Sequence, residues 1–371
     1  MAILYPLRAL RISEQAEYRE DADFSAELFQ TWKESGVLKQ DTADAFYICE
    51  QEYSRFGQAR KVKSLLCRVK TEAEAEILPV EQAEPAEVSE FLSLLRETSC
   101  EFSPVPALYE DDGGKTMSRL DMLSRGKPRF EFARGGVTCR LWVVNDLLVI
   151  RTICEDFQNR KLWVAGAYGQ FEAARQSGSG SVYMMLTDAE QDFSILPYHC
   201  ILENGMAFDE SRFLADCAAY FDLIPREAMS PRVSDEIESN LDALYRQGRK
   251  ALGLCSGGRS WTLLLLKEHA MDEILPQSGE VFRNLECNVL HRLVLEKLLH
   301  ADRTSFTVSA LAAVESVQSG AGRCAFLLSP ARKKEIFEIT GAGEILPPKS
   351  ACFYPPFPAG AVMSFPDRSS K

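Results

Sequence analysis

The stretch WVAGAYGQFEAAR, residues 163–175, is where residue types and spacing come nearest to a nucleotide site. An apolar run leads into two glycines three apart, Gly166 and Gly169, and then into a helix-forming segment. A helix that starts on such a bend aims its first N–H groups at one point, and that point can hold a phosphate. The same order of elements serves any strand-to-helix turn, so cradle and plain bend both fit the pattern. The bend lacks the third glycine of GxGxxG and has no basic side chain. SGSGS at 177–181 has the reverse order, helix before strand, and no P-loop run occurs anywhere.

The remaining chemistry is sparse. None of the four histidines (His199, His269, His291 and His300) stands at metal-ligand spacing from another or from a cysteine, so no metal centre is expected. His199 follows the strand-like ILPY, as a residue at a cleft edge or as a satisfied structural imidazole. His291 and Glu286 share a helical segment, but five residues turn them about 140° apart, so they do not face each other. No serine lies in a GxSxG elbow. Acid pairs such as Asp111-Asp112 and Glu155-Asp156 read as solvated charges. Lys349, in GEILPPKSACFYP, is the best single cation. An ammonium on a stiff turn can clamp an anion; an exposed loop lysine is the equal alternative.

These residues must be placed by a chain of 371 residues, enough for two domains. With 46% hydrophobic and 26% charged residues the composition is that of a soluble globular protein. The net charge of −12 disfavours nucleic acid and anionic membrane partners. Eleven cysteines, none in a CxxC, read as reduced thiols in a cytoplasmic protein. Phe24, Leu28 and Trp32 mark a first helix, with Asp23 as its cap and Gly36 as its stop. FYICEQEY and KVKSLLCRVK form a hairpin, and Pro85 opens a helix with Val88, Phe91, Leu92 and Leu95 on one face. VTCRLWVV and LLVIRTI flank Asn145-Asp146 as strand, turn, strand. Asp209 caps a further helix, ALGLCSGGRSWTLLLLK makes a hairpin, and NVLHRLVLEKLL is helical. Mixed helices and hairpins predict a mixed α/β (α+β) fold rather than a doubly wound sheet. The two regions divide at 1–200 and 201–371.

GAGEILPPKSACFYPPFPAGAVM resembles the C-terminal signature of the bacterial and archaeal domain-of-unknown-function family 1015, an MPPKST-FYPK-like run. PLRAL, YICEQEY, EILPVE, CEFSPVPALYED, VYMMLTD, ILPYH, VLHRLVLEKLL and CAFLLSP match it in the same order. The family's most distinctive motif is a strand ending in ADGHHR before a helix starting Y-E. It is similar to the phosphate-contacting turn of ParB/sulfiredoxin-type nucleotide binders, which include a free-serine kinase. The resemblance implies nucleotide-dependent phosphoryl transfer to a small molecule, with ATP and magnesium. This sequence departs from it at that motif. Trp163–Ala165 and Phe171-Glu172 remain, but Gly166, Ala167, Tyr168, Gly169 and Gln170 replace the acid, both histidines and the arginine. Val80 replaces the histidine of LPHE, with Glu81 kept, and Pro356 replaces the FYPK lysine. A PPYDV-like segment expected near residues 15–25 is missing.

The expectation is therefore a diverged, catalytically impaired member with weak nucleotide or phosphate-ester binding in a regulatory role. Gly166, Gly169, Lys349 and Ser350 would contact the ligand. The alternative is an active phosphotransferase with a rebuilt site, using Glu81, His199 and Glu172 as catalytic residues and Lys349 as a binding residue. A third reading, an apolar or peptide-binding module built on FYPPFP, requires an exposed tail.

Overall fold

The computed structural model describes residues 2–12, 25–55, 57–71, 76–229 and 232–366. The chain forms two compact units, Met1–Ser194 with Phe353–Lys371, and Ile195–Cys352.

The first unit contains β1 (Leu4–Tyr5), β2 (Leu10–Ile12), α1 (Ala26–Glu34), β3 (Leu38–Gln40), β4 (Phe46–Arg55), β5 (Gln58–Lys70) and β6 (Ile77–Pro79). There follow α2 (Pro85–Thr98), β7 (Val105–Tyr109), α3 (Lys115–Leu123), β8 (Phe130–Arg134), β9 (Val137–Val144) and α4 (Leu147–Phe157). The unit continues with β10 (Leu162–Val164), α5 (Tyr168–Gln176) and β11 (Ser181–Asp188). Its large sheet has the order β6-β10-β7-β11-β5-β4-β9-β8, with β1 beside β5. The pairs β6/β10 and β7/β11 are parallel.

Strand alternation sorts the two faces of this sheet. Phe46, Ile48, Leu65, Cys67, Val105, Ala107, Met184 and Leu186 form one core with Leu120, Ile150, Ile153, Phe157 and Phe171 from the helices. Tyr47, Gln51, Arg68 and Tyr183 point the other way, and polar contacts tie that face to the C-terminal tail. Gln51 donates to the Pro356 carbonyl at 3.0 Å, and Tyr183 to that of Val362 at 3.3 Å. Arg68 is buried with Glu101 at 2.5 Å and also donates to Ser364. The tail thus packs with the first unit, not with the 201–371 region, and Val362 and Met363 are fully buried in it. Within FYPPFP itself Pro355 and Phe357 are buried, while Pro356 is exposed.

The sequence expectation fails at residues 147–157, which are helical. Asp146 caps α4 by accepting the N–H groups of Leu148 and Val149 at 2.8 and 3.1 Å. Ser25 is the cap of α1; Asp23 and Phe24 lie outside the described residues.

The second unit begins within β12 (Ser194–Pro197) and contains β13 (His199–Glu203), α6 (Glu210–Cys217), β14 (Phe221–Glu227), α7 (Val233–Arg246), β15 (Ala251–Gly257) and β16 (Ser260–Leu266). Next come α8 (Glu280–Asn284), α9 (Glu286–Asn288), which runs into a π-helix over Val289–Leu299, β17 (Thr304–Thr307), α10 (Ala310–Gln318), β18 (Gly322–Leu327) and α11 (Lys333–Gly341), and the unit ends at Cys352, within β19 (Ala351–Tyr354). Six strands pair as β14-β16-β15-β18-β13-β17, all antiparallel. Ile201, Cys255, Leu263, Ala325 and Leu327 pack against α7 and α10 on one face. On the other, Phe213 of α6 meets Phe326 edge to face. The whole is mixed α/β and hairpin-rich. Among the described residues no helix is long and apolar enough to cross a membrane.

Candidate functional site

The bend after Trp163 has the expected strand–turn–helix form. Strand β10 is fully buried, and its end is sealed where the Ala165 N–H donates to the Pro106 carbonyl at 2.8 Å. Gly166 has φ +150°, and a Cβ there would come within 3.1 Å of the Pro106 ring. Ala167 takes a left-handed conformation at the helix N-cap, with no side chain to cap the first N–H groups. Those groups are the ones a phosphate would use.

The protein's own side chains crowd that position. A Cβ on Gly169 would lie 2.6 Å from Glu87 Cβ and 3.2 Å from Glu87 Oε2. The glycine therefore admits α2 onto the first turn of α5, and it brings a carboxylate to the positive end of the helix. Gln170, buried, donates Nε2 to the Ser103 carbonyl at 2.5 Å and accepts from the Ser103 hydroxyl at 3.1 Å. The first unit also holds two of the expected acids. Glu81 is buried just past β6, where the Val80 N–H donates to the Val164 carbonyl, so the register carries Glu81 to the level of the bend. Glu172 points onward along the helix and pairs with Arg175 at 2.8 Å. Gly166, Gly169 and Glu81 thus gather at one bend, with Glu172 a turn beyond. Among the described residues no three His, Cys, Asp or Glu side chains are placed to hold a metal ion.

His199, Lys349 and Ser350 belong to the second unit. His199 is fully buried, and its Nδ1 accepts the Leu328 N–H at 3.2 Å. Nδ1 then carries no proton, so Nε2 does. Burial lowers its pKa to about 4, and the ring is neutral at pH 7. By strand alternation His199 shares the Ile201 face, under α10. His291 lies across the sheet, stacked on Phe306 with centroids 5.5 Å apart and planes 8° from parallel. Burial also lowers the His291 pKa to about 4, against a hydrogen bond to the Lys349 backbone. Lys349 itself has φ +59°, a left-handed conformation that costs a non-glycine residue about 1–2 kcal/mol. The turn is pinned by the buried Ser350 hydroxyl, which donates to the Pro347 carbonyl at 2.7 Å.

The sequence profile described as "Protein of unknown function (DUF1015)" matches residues 5–288, more than half of the chain. The chain belongs to the DUF1015 family. No curated protein sequence matches it. Among solved structures, one titled "Free serine kinase in complex with AMP" is similar at a TM-score of 0.43 and 12% identity, over 78% of this chain and 88% of that one. SbnI with a C-terminal truncation, from Staphylococcus aureus, gives 0.43 and 10% over 80% and 88%. A conserved hypothetical protein from Pyrococcus furiosus gives 0.41 and 12% over 76% and 88%.

In this DUF1015 protein a part-buried charged group of the second unit was not visible in the sequence. Lys250 Nζ lies 3.2 Å from Glu286 and 3.0 Å from Glu335, and 4.2 Å above the Tyr245 ring. Glu335 Oε2 accepts from the Tyr245 hydroxyl and, at 2.9 Å, from the Arg332 N–H, while Oε1 accepts from Lys250. Burial raises the Glu286 carboxyl to about 7, and Lys250 only partly offsets this. Burial also pushes Glu335 upward, but Tyr245, the Arg332 N–H and Lys250 outweigh it and hold that carboxyl below its ordinary value. Its members come from α7, α9, α11 and the start of β15, and Lys250 and Glu335 are 85 positions apart. No local spacing could have signalled such a group.

Proposed function

We propose that this DUF1015 protein is a catalytically impaired member that keeps the family scaffold as a binding or regulatory protein, with a nucleotide or phosphate ester as its weakly held ligand. The observation that carries this reading is the filled bend. Glu87 sets negative charge against the α5 N-terminus, and Gln170 is turned in to Ser103. Phosphoryl transfer depends on positioning and on neutralising the charge of the transferred group. A bend that offers a carboxylate, with no cation among residues 163–170, is suited to neither. Free thiols at all eleven cysteines fit a reducing compartment, and we place the protein in the cytoplasm.

The alternative, an active phosphotransferase, needs Glu81, Glu172, His199 and Lys349 as working groups. Its support is weaker, because Glu172 is committed to Arg175 and His199 Nδ1 to Leu328. One assay decides between them. The purified chain is incubated with ATP, magnesium and a panel of small hydroxy compounds, free serine included. We expect no phosphorylated product above the enzyme-free control. Turnover at the pace of ordinary kinases, about 1 per second or faster, would establish the alternative.

A further inference from the structure

The second unit carries a charge arrangement that the filled bend does not use. Lys250, just before β15, offers one ammonium to carboxylates on two helices, Glu286 of α9 at 3.2 Å and Glu335 of α11 at 3.0 Å. The two acids are not equivalent. Glu286 is buried and looks onto a shallow cleft of about 140 Å³, whose other walls include Phe221, Leu252, Leu266 and Val289. Lys250 is the one other charged residue among those that line it. Glu335 lies at the rim, one-fifth exposed, and accepts there from the Tyr245 hydroxyl and the Arg332 N–H as well.

The neighbouring elements add no second cation to Glu286. Tyr245 of α7 keeps its hydroxyl proton, because burial and the bond to Glu335 raise its pKa. The Arg332 guanidinium at the head of α11 sits 4.4 Å above the Tyr245 ring. Arg283 of α8 is turned to Asp272 at 3.4 Å. From β14 and β16, Phe221 and Leu266 face the cleft.

Two carboxylates that share one ammonium leave the group with an excess negative charge whenever both are ionised. With a proton on Glu286, the ammonium belongs to Glu335 and the group is neutral. Without that proton, the buried carboxylate cannot reach water and draws the ammonium to itself. Glu335, at the rim, can turn to solvent instead, and an ion pair at a surface is weak enough to yield. Glu335 is what joins the first turn of α11 to Tyr245 and Lys250, so that turn is the part that loosens. Burial raises the Glu286 carboxyl to about 7, which brings the exchange into the neutral range. Glu335, held below its ordinary value, is ionised throughout that range.

We propose that Lys250 works a proton-operated latch: it fastens the first turn of α11 through Glu335 while Glu286 is protonated, and it leaves Glu335 for Glu286 when that proton is lost. Every member lies in the second unit, so the latch does not depend on whether the α5 bend has lost its catalytic role.

The test follows amide exchange of the full chain by mass spectrometry at pH 6 and pH 8, corrected for the base catalysis of exchange itself. The peptide that reports spans residues 331–341, where the Ile336 N–H donates to the Arg332 carbonyl at 3.1 Å. Its corrected exchange should be about fivefold faster at pH 8 than at pH 6 in the parent. Glu286→Gln keeps the shape of the buried side chain and should stay slow at both values. Glu335→Gln keeps an oxygen for the Arg332 N–H, as a capping box allows, and should be fast at both. Three results overturn the proposal: a parent whose corrected exchange is the same at both pH values, a pH step that survives in Glu286→Gln, or a Glu335→Gln chain that is slow at pH 6. His199 and His291, with values near 4, are neutral at both pH values and do not produce such a step. The assay contains no ATP and reads no turnover, so its outcome is separate from that of the kinase assay.

Discussion

At the scale of single residues, the acids and imidazoles of the second unit set opposite pH dependences. Glu286, fully buried, has a carboxyl raised to about 7, against roughly 4.3 in an unfolded chain. The native state then holds that proton more tightly than the unfolded state does. Its penalty is present in full above pH 7 and is relieved as the pH falls toward about 4.3, a swing of about 4 kcal/mol. His199 and His291 act the other way. Their native values near 4 mean that stability is lost as the pH falls from about 6.5 toward 4. The Glu286 contribution is isolated by Glu286→Gln, which keeps the shape and removes the charge. Relative to the parent, the variant should be more stable at pH 8 than at pH 5, in urea titrations at both values. A difference between the two proteins that does not change with pH would contradict the burial argument. The sequence argument about Glu286 and His291 assumed an ideal α-helix, whereas the segment is a π-helix from Val289 onward. It could not show that Lys250 and Phe306 are the partners they meet instead.

At the scale of elements, local chemistry was legible where it was complete within a few residues. Asp209 accepts the Arg212 N–H at the start of α6, as its position before an amphipathic run implies. The hairpins β4–β5 and β15–β16 follow their glycine-bearing loops. At residues 147–157 the run LLVI suggested a strand, although Asp146 is a good cap. The buried set Ile150, Ile153 and Phe157 falls at helical spacing and shows which signal should have prevailed. The bend before α5 was legible in shape but not in purpose, since Glu87 reaches it from a helix 82 positions earlier. Gly169→Ala separates the purposes. Inside a helix such a change ordinarily stabilises by up to about 1 kcal/mol. Here the added Cβ meets the Glu87 Cβ and backbone, and α2 must move. Overpacking of this sort costs about 1–3 kcal/mol. The melting temperature should therefore fall, and a variant that melts higher than the parent would show that the helices have room to spare.

At the scale of the whole molecule, chain order misled the division into regions, because residues 353–371 return to a unit whose other members end at Ser194. The motif FYPPFPAGAVM, which lies beyond the matched residues 5–288, carried a resemblance to the family, yet its spacing held no sign of where it packs. Its place is set by distant polar groups. Gly360 donates to the Phe102 carbonyl, Arg134 to that of Ala359, and Met363 pairs with Leu10. At the centre is the Arg68–Glu101 pair, with both side chains at most 2% exposed. Arg68 also donates to Ser181 and Ser364, while Glu101 accepts the Tyr183 N–H at 3.0 Å. A buried pair with its remaining hydrogen bonds satisfied is not by itself a large source of stability, but either half left alone is a buried charge. Arg68→Met should therefore cost about 3–5 kcal/mol and release the tail, seen as faster amide exchange at Val362 and Met363. Arg68→Met with Glu101→Leu removes both charges and should recover much of that loss in chemical denaturation. If the double variant is as unstable as Arg68→Met alone, the packing of the arginine stem, and not the stranded carboxylate, is what joins the tail to the sheet.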